Sequence, residues 1–163
     1  MHQLAQVNVA RLRAGLDSAQ LRDFVAAVDP VNRLAEESPG FVWRLKAGEG
    51  HIVTTLPDGS SSIVVNLSVW QSYEALHVFV YRSVHGVFVR RRALWFVPTQ
   101  QPSTALWWVP AGEEPTVDEA MRRMIQLQRY GPSPRAFSLR QRFTPDGRPV
   151  RSARLPRTRS AQR

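Results

Sequence analysis

The sequence contains no cysteine and no long run of apolar residues. Without cysteine, the chain cannot form disulfides or use a thiolate as a nucleophile, a haem ligand or an iron–sulfur ligand. Its N-terminal stretch, MHQLAQVNVARL, lacks both the basic start and the apolar core of a signal peptide. We therefore expect a cytoplasmic protein that has no membrane partner.

The sequence also lacks the motifs of several large enzyme classes. It has no Gly-rich phosphate loop, no Ser-His-Asp pattern and no pair of catalytic carboxylates. His2, His51 and His77 do not have metal-binding spacing with any carboxylate cluster. We therefore expect no metal and no cofactor, with haem as the one alternative.

Positive charge is concentrated at the C-terminal end. The chain carries +9, and residues 140–163 hold eight arginines against the single acid Asp146, which leaves only +2 for the body. Because this end is rich in Pro, Ser and Arg and poor in apolar residues, we predict a disordered basic tail over residues 145–163. A solvated tail without a partner and a salt-dependent contact with RNA or DNA both fit this composition.

Apolar periodicity predicts a single domain over residues 1–144. Period-two alternation favours strands, and spacings of three and four favour helices that begin at polar caps such as Ser72 and Thr116. Asp29-Pro30 is expected to divide the first helix. The predicted strands span residues 4–12, 41–46, 63–70, 104–109 and 136–143, and the predicted helices span 18–28, 30–37, a segment from 73, 84–96 and 116–130.

This order of elements is β-α-β-β-α-β with an added C-terminal α-β unit. It is typical of the ferredoxin-like split βαβ arrangement within the α+β class. In the last helix we expect inward-facing side chains at Met121, Met124, Ile125 and Gln128. An antiparallel sheet with helices on one face leaves the other face open.

The two faces of the predicted sheet differ in chemistry. Alternate residues such as Val7 and Val9 form an apolar face, which we expect the helices to cover. A face that carries amides and large aromatics suits closure against a second sheet around a ligand cavity, with an exposed sheet as the alternative. This opposite face is predicted to carry Gln6, Asn8, Asn66, Ser68, Trp70, one of Trp43 and Arg44, and one of Trp107 and Trp108.

His85 and Arg92 share one face of the helix predicted over residues 84–96. Beside a cavity, His85 is a candidate general base, haem ligand or substrate hydrogen-bond partner. The structural alternative is a histidine at a helix end that bonds a backbone carbonyl. The run Arg90-Arg91-Arg92 is typical of a solvated helix face, with a phosphate site as the alternative.

The strand–turn–helix segment SVWQSYEAL, followed by His85, is similar to the Trp-x-Ser-x-Glu-Ala pattern of a known superfamily. This is the antibiotic biosynthesis monooxygenase-like superfamily of dimeric α+β barrels. Across residues 4–143 the chain resembles one bacterial family within it, a domain family of unknown function. The segments that carry the resemblance are LAQVNVARL, SPGFVWRL, NLSVWQSYEAL, FVYRSVHGVFVRRRALWF, LWWVPAGEEPTVDEAM and GPSPRAF.

The resemblance implies a homodimer whose subunits each keep a pocket between sheet and helices. Some members of this superfamily oxidise phenolic polyketides with O₂ and no cofactor, others bind or degrade haem, and others isomerise, cyclise or have no known activity. By this resemblance Asn8 and Asn66 would hold the substrate and His85 would act as the base. The substrate-binding residues implied are Trp70, Ser68, Arg92, Trp95, Trp43 and Trp108.

Three functional hypotheses follow. The first is cofactor-independent oxidation of a small aromatic or polyketide-like molecule, with an isomerase or cyclase on the same fold as a variant. The second is a non-catalytic carrier of a small ligand or of haem. The haem-degrading members of the superfamily have a tryptophan and a histidine within the second helix. This chain has Phe79 near the position of that tryptophan, and His85 does not align with that histidine. The third is nucleic-acid binding through the basic tail.

Overall fold

A computed structural model describes residues 1–46, 53–55, 62–83 and 89–151, with the backbone alone at 53–55, 82–83 and 89–90. Within these ranges, no helix has the length and apolar character needed to cross a membrane. The strands are β1 (His2–Arg11), β2 (Phe41–Arg44), β3 (Val53–Thr55), β4 (Ser62–Trp70) and β5 (Thr104–Pro110). The helices are α1 (Arg22–Glu36), α2 (Tyr73–Ser83), α3 (Val89–Trp95) and α4 (Val117–Tyr130), and a short 3₁₀ turn, Ala19–Leu21, precedes α1.

The sheet confirms the predicted ferredoxin-like topology. Its strand order is β2-β4-β1-β5, with β3 paired to β4, and every pairing is antiparallel. Strand β1 lies at the centre and is hydrogen-bonded on both edges. The strand predicted over 136–143 is reduced to isolated bridges, and the one that joins it to β5 has Phe137 and Leu106 exchanging backbone hydrogen bonds of 2.8 and 2.9 Å.

Helix α1 continues through Pro30, so the predicted division at Asp29-Pro30 is wrong. Proline lacks a backbone N–H and therefore leaves the carbonyl of Ala26 without its helical donor. Ala26 and Pro30 are both exposed, so water can donate a hydrogen bond to the Ala26 carbonyl. Phe24 and Ala35 are buried and hold the helix against the sheet on either side of the proline.

Helix α4 covers the apolar face of the sheet, which carries Val7 among its buried residues. The helix begins where predicted, because the Thr116 hydroxyl accepts a hydrogen bond of 3.2 Å from the Glu119 backbone N–H. Two of the side chains predicted to face inward do not. Ile125 is half exposed, and Gln128 donates to the Pro102 carbonyl at 2.9 Å. The buried stripe is instead Ala120, Met124 and Leu127, at i, i+4 and i+7.

The amide-bearing face is covered by α1 and α2 of the same chain, so the predicted open face is wrong. Ser68 is only 5% exposed and Trp70 is fully buried, packed with Leu76 of α2. Alternation along the strands separated the two faces correctly. It could not show that the added helix α4 would take the apolar face and leave the polar one to α1 and α2.

Helix α2 lies close to the sheet at a glycine. Gly40 has a φ of 82°, and a Cβ at this position would lie 2.5 Å from the Cβ of Ala75. Its carbonyl accepts a hydrogen bond of 2.7 Å from the Gln71 backbone N–H. One residue later, the Ser72 hydroxyl caps α2, as predicted, by accepting from the Ala75 N–H at 3.1 Å. These contacts fix where α2 begins above the end of β4.

Helix α3 is tied to the start of the α1 region. The Arg13 backbone N–H donates to the Trp95 carbonyl at 2.9 Å, and the Gln20 amide donates to the Leu94 carbonyl at 2.8 Å. Arg91 forms an ion pair with Asp23 of α1. Together these contacts place α3 at one end of the space between α1 and the sheet.

The C-terminal segment is ordered past the boundary predicted at residue 144. The Thr144 N–H donates to the Arg148 carbonyl at 2.8 Å, and the Val150 N–H donates to the Arg142 carbonyl at 2.8 Å. The Thr144 hydroxyl, together with the positive charge of Arg148, lowers the pKa of Asp146. This boundary therefore falls within a hydrogen-bonded turn, and residues 152–163 of the predicted tail lie outside the described residues.

Candidate functional site

A cavity of about 470 Å³ lies between the amide face of the sheet and helices α1 and α2. We call it the sheet–helix cavity. Its volume falls within the range of about 300–1,000 Å³ that is usual for small-molecule sites. It is lined by Gln6, Asn8, Ala10, Leu16, Phe24, Val25, Val28, Asp29, Val31, Asn32, Leu45, Val64, Val65, Asn66, Leu76, Phe79, Val80, Arg92, Phe96, Thr104 and Leu139.

Three amide side chains of the two central strands form what we call the amide floor: Gln6, Asn8 and Asn66. Asn8 and Asn66 are directly opposite each other in the β1–β4 register. The Thr104 hydroxyl donates to Oδ1 of Asn8 at 3.3 Å, which leaves the Asn8 amide nitrogen as a donor toward the cavity. The Asn66 amide has no hydrogen-bond partner within the described ranges. Both asparagines are solvent-accessible and lie near the cavity mouth.

Gln6 lies deeper and is held by a short hydrogen-bond chain. The Trp70 indole N–H donates to the Ser68 hydroxyl at 2.9 Å, and that hydroxyl donates to Oε1 of Gln6, also at 2.9 Å. Gln6 is 8% exposed and Ser68 is 5% exposed. The floor therefore has a buried inner position at Gln6 and an outer pair at Asn8 and Asn66.

Apolar side chains from the helices form the opposite wall. Phe24 of α1 contributes one end, where it packs edge-to-face with Phe96 at a ring-centroid distance of 5.3 Å. Phe79 of α2 contributes the other end and stacks on Trp70 with centroids 4.9 Å apart. A flat ligand would meet aromatic and aliphatic groups on the helix side and hydrogen-bond donors on the sheet side.

Two charged side chains belong to the described part of the cavity lining, Asp29 on α1 and Arg92 on α3. The guanidinium of Arg92 lies 3.4 Å from the Ser103 hydroxyl, at the end near β5. The described lining contains no histidine, methionine, tyrosine or lysine, so a haem in this cavity would have to take its axial ligand from elsewhere in the chain. Within the described ranges, no group of three or more metal-ligating side chains comes together.

The structure brings together only part of the predicted site. Asn8, Asn66 and Arg92 line the cavity, and Ser68 and Trp70 support its floor from behind. His85 lies outside the described residues.

The three other tryptophans predicted at the site lie away from the cavity. Trp43 packs on the α4 side of the sheet. Trp95 is buried in a separate cluster with Leu12 and Phe24. Trp108 is on the amide side, but its indole N–H is bound to the Phe143 carbonyl at 2.7 Å.

Sequence reasoning did not assign a site role to four polar residues of the described cavity lining, which are Gln6, Asp29, Asn32 and Thr104. Gln6 was placed on the correct face, and its position two residues before Asn8 was the available signal. Asp29 and Asn32 were missed because the predicted break at Pro30 gave Asp29 a capping role and removed Asn32 from the same helix. A continuous α1 presents both residues to the cavity, about one turn apart.

Fold and site define an α+β protein with a ferredoxin-like sheet and a half-open cavity between sheet and helices. The chain belongs to the family described as "Domain of unknown function (DUF3291)", whose model matches residues 3–153. This match confirms the resemblance to a domain family of unknown function. No curated protein matches the chain.

Among solved structures, the chain is similar to SnoaB, a cofactor-independent oxygenase from Streptomyces nogalater. The identity is 15%, the TM-score is 0.39, and the match covers 70% of this chain and 97% of SnoaB. It is also similar to a monooxygenase from the gene ActVA-Orf6 of Streptomyces coelicolor in complex with nanaomycin D. Here the identity is 19% and the TM-score 0.40, with 70% of this chain and 92% of the other covered. Likenesses this distant do not indicate what the present chain binds.

Proposed function

We propose that the chain binds a flat aromatic or polyketide-like molecule in the sheet–helix cavity and oxidises it with O₂ without a cofactor. The observation that carries this proposal is the amide floor facing an apolar wall. Amide N–H groups stabilise a negative oxygen, and the apolar wall opposite them reduces the amount of water around it. This combination favours the enolate of a phenolic substrate.

The enolate is the form that reacts with oxygen. A base removes a proton from a carbon conjugated with the carbonyl, which in anthrone is the CH₂ group across the central ring, and the resulting enolate gives one electron to O₂. The substrate radical and superoxide then combine into a peroxide, which takes up the proton and loses water to leave a new carbonyl. For anthrone this gives anthraquinone and one water from one O₂, so no external reductant is needed. The protein has to supply a base and donors to the enolate oxygen.

The base is proposed to be His85, with Asp29 as the described alternative. Asp29 is a carboxylate in the cavity lining, on the wall opposite the donors of the floor. A His85 base predicts that the rate falls as pH drops through the range where imidazole becomes protonated, near pH 6.5 for an unperturbed side chain. Replacement of Asp29 by asparagine would then leave this pH profile in place.

The test uses anthrone in an oxygen electrode. We expect protein-dependent oxygen uptake with one anthraquinone formed per O₂ consumed, and a loss of at least about 100-fold in kcat for the variant that lacks the base, His85→Gln or Asp29→Asn. Absence of protein-dependent uptake with anthrone and with a hydroxylated naphthalene would overturn the oxygenase function. The cavity would then serve a ligand carrier.

We also propose a homodimer, which the superfamily resemblance implies. The amide face cannot be the contact, because α1 and α2 cover it. The outer face of α4 supports the proposal instead, since Ile125 is 51% and Tyr130 68% exposed. Light scattering should give a mass near twice 18.5 kDa, falling to one chain in Ile125→Glu. Val78→Glu, at a valine of α2 that is 45% exposed, is the matched control. A monomeric native chain would contradict the proposal.

A further inference from the structure

Gln6 is the most deeply buried polar side chain in the cavity lining, at 8% exposure. Its Oε1 atom accepts from Ser68, and its amide nitrogen has no acceptor in the part of the chain that the structure describes. Among the described residues this nitrogen is not one of the fully enclosed polar atoms that lack a partner, so it reaches the open space of the cavity. A ligand in the cavity can therefore supply an acceptor to this donor in place of water.

The hydrogen-bond chain fixes which end of the Gln6 amide faces the cavity. The Trp70 indole nitrogen can only donate, so the Ser68 hydroxyl must accept from it. That hydroxyl donates its single hydrogen to Oε1 of Gln6. A flipped amide could donate to the second lone pair of the Ser68 oxygen, but the Ser68 hydrogen would then have no acceptor within the described ranges. The NH₂ group is left to point into the cavity.

We infer that Gln6 determines specificity by donating to an acceptor oxygen, a ketone carbonyl or a phenolate, at the inner edge of a planar ring ligand. Ser68 and Trp70 are positioning residues, which act on the ligand only through Gln6. This inference deepens the proposed function by naming the substrate class. It rests on the proposed function in one respect, that the sheet–helix cavity is the ligand site.

Strand geometry adds the spacing of the ligand oxygens. Gln6 and Asn8 are two residues apart on β1, so their side chains leave the sheet about 6.6 Å apart. Gln6 is buried, whereas Asn8 and Asn66 are near the mouth. A ligand with one oxygen at each end of its ring system satisfies both positions, with its inner oxygen on Gln6. A ligand whose inner edge carries only carbon would leave the Gln6 donor unpaired.

The test compares two unreactive three-ring ligands, 9-fluorenone and fluorene, which differ only in the carbonyl oxygen. By equilibrium dialysis, we expect the native chain to bind 9-fluorenone about tenfold more tightly than fluorene, as one hydrogen bond to a buried donor predicts. In Gln6→Met, a side chain of similar length without a donor, the preference should disappear while fluorene binding persists. No preference in the native chain, or an undiminished preference in Gln6→Met, would overturn the inference.

Two further variants separate a contact from a general loss of structure. Gln3→Met makes the same change on the same strand outside the cavity lining, where Gln3 accepts from the Gly112 N–H, and should keep the full preference. Trp70→Phe removes the indole donor that orients the Ser68 hydroxyl, so this hydroxyl no longer holds the Gln6 amide in one orientation. The preference should then fall to a few-fold, and a full tenfold preference would show that Trp70 has no positioning role.

These measurements distinguish the inference from the oxygenase proposal. Neither ligand has to be oxidised, so absence of oxygen uptake with anthrone leaves the expected preference unchanged. Conversely, oxygen uptake by a chain that shows no preference for 9-fluorenone would retain the oxygenase function and remove Gln6 from its site.

Discussion

Replacing Asn66 with leucine should lower kcat for anthrone oxidation by about 100-fold while leaving the folded chain intact. Removal of one preorganised donor from a developing oxyanion costs about 10²–10³ in kcat in sites of this kind. The Asn66 amide has no protein partner within the described ranges, and the residue is exposed, so its loss leaves no buried group unsatisfied. Oxygen uptake measures the rate, and thermal unfolding checks the fold.

The matched control is Asn32→Leu. Asn32 is also an asparagine of the cavity lining, but it belongs to α1 on the wall opposite the floor. If the oxygen of the enolate lies on the sheet, Asn32→Leu should change kcat by less than about threefold. Equal losses in the two variants would mean that the oxyanion is not held by the sheet.

Replacing Gly40 with alanine should lower the free energy of unfolding by about 3 kcal/mol. A φ of 82° costs an L-residue about 1–2 kcal/mol, and the new Cβ would also lie 2.5 Å from the Cβ of Ala75, where the sheet and α2 cannot both keep their positions. The measurement is urea-induced unfolding at equilibrium, evaluated at constant m-value. Because α2 forms one wall of the cavity, ligand affinity should fall as well.

Two variants separate the cost of a positive φ from the cost of the contact with Ala75. Gly112 has a φ of 85° with no atom within 4 Å of an added Cβ, so Gly112→Ala should cost only about 1 kcal/mol. Adding Ala75→Gly to Gly40→Ala removes the opposing methyl group and should recover part of the loss. If Gly40→Ala and Gly112→Ala were equally destabilising, the close approach of α2 would not matter.

Local patterns predicted the elements of this chain well because their causes are local. Alternation at Val7 and Val9, the Ser72 cap and the Thr116 cap each depend on side chains within a few residues of one another. The order of elements then led to the correct sheet, since few topologies fit a β-α-β-β-α-β chain. The resemblance led to the correct family.

Local sequence patterns could not predict which helices cover each face of the sheet. Which helix lies on which face is decided by long-range packing. The apolar face was expected to be covered by the helices in general, and α4 covers it, whereas α1 and α2 cover the amide face. The sequence left open whether Trp43 or Arg44 lies on the amide face. Strand β2 is irregular between Phe41 and Trp43, so alternation does not decide between them, and the structure pairs Arg44 with Ser68 on that face. Asp29 was not predicted at the site because proline was expected to end the first helix. In the structure, packing of Phe24 and Ala35 against the sheet keeps the helix continuous.

Strand β1 has a neighbour on each edge along most of its length, and it supplies two of the three amide donors. Its backbone is therefore among the last parts of the molecule to open in local fluctuations, whereas the cavity's apolar wall comes from the surface helices α1 and α2. The rigid sheet therefore binds the polar atoms of a ligand, and the more mobile helices adapt to the size of its rings. Substitutions on the helices can change the size of ligand that fits without changing the hydrogen bonds that the sheet makes to its oxygens.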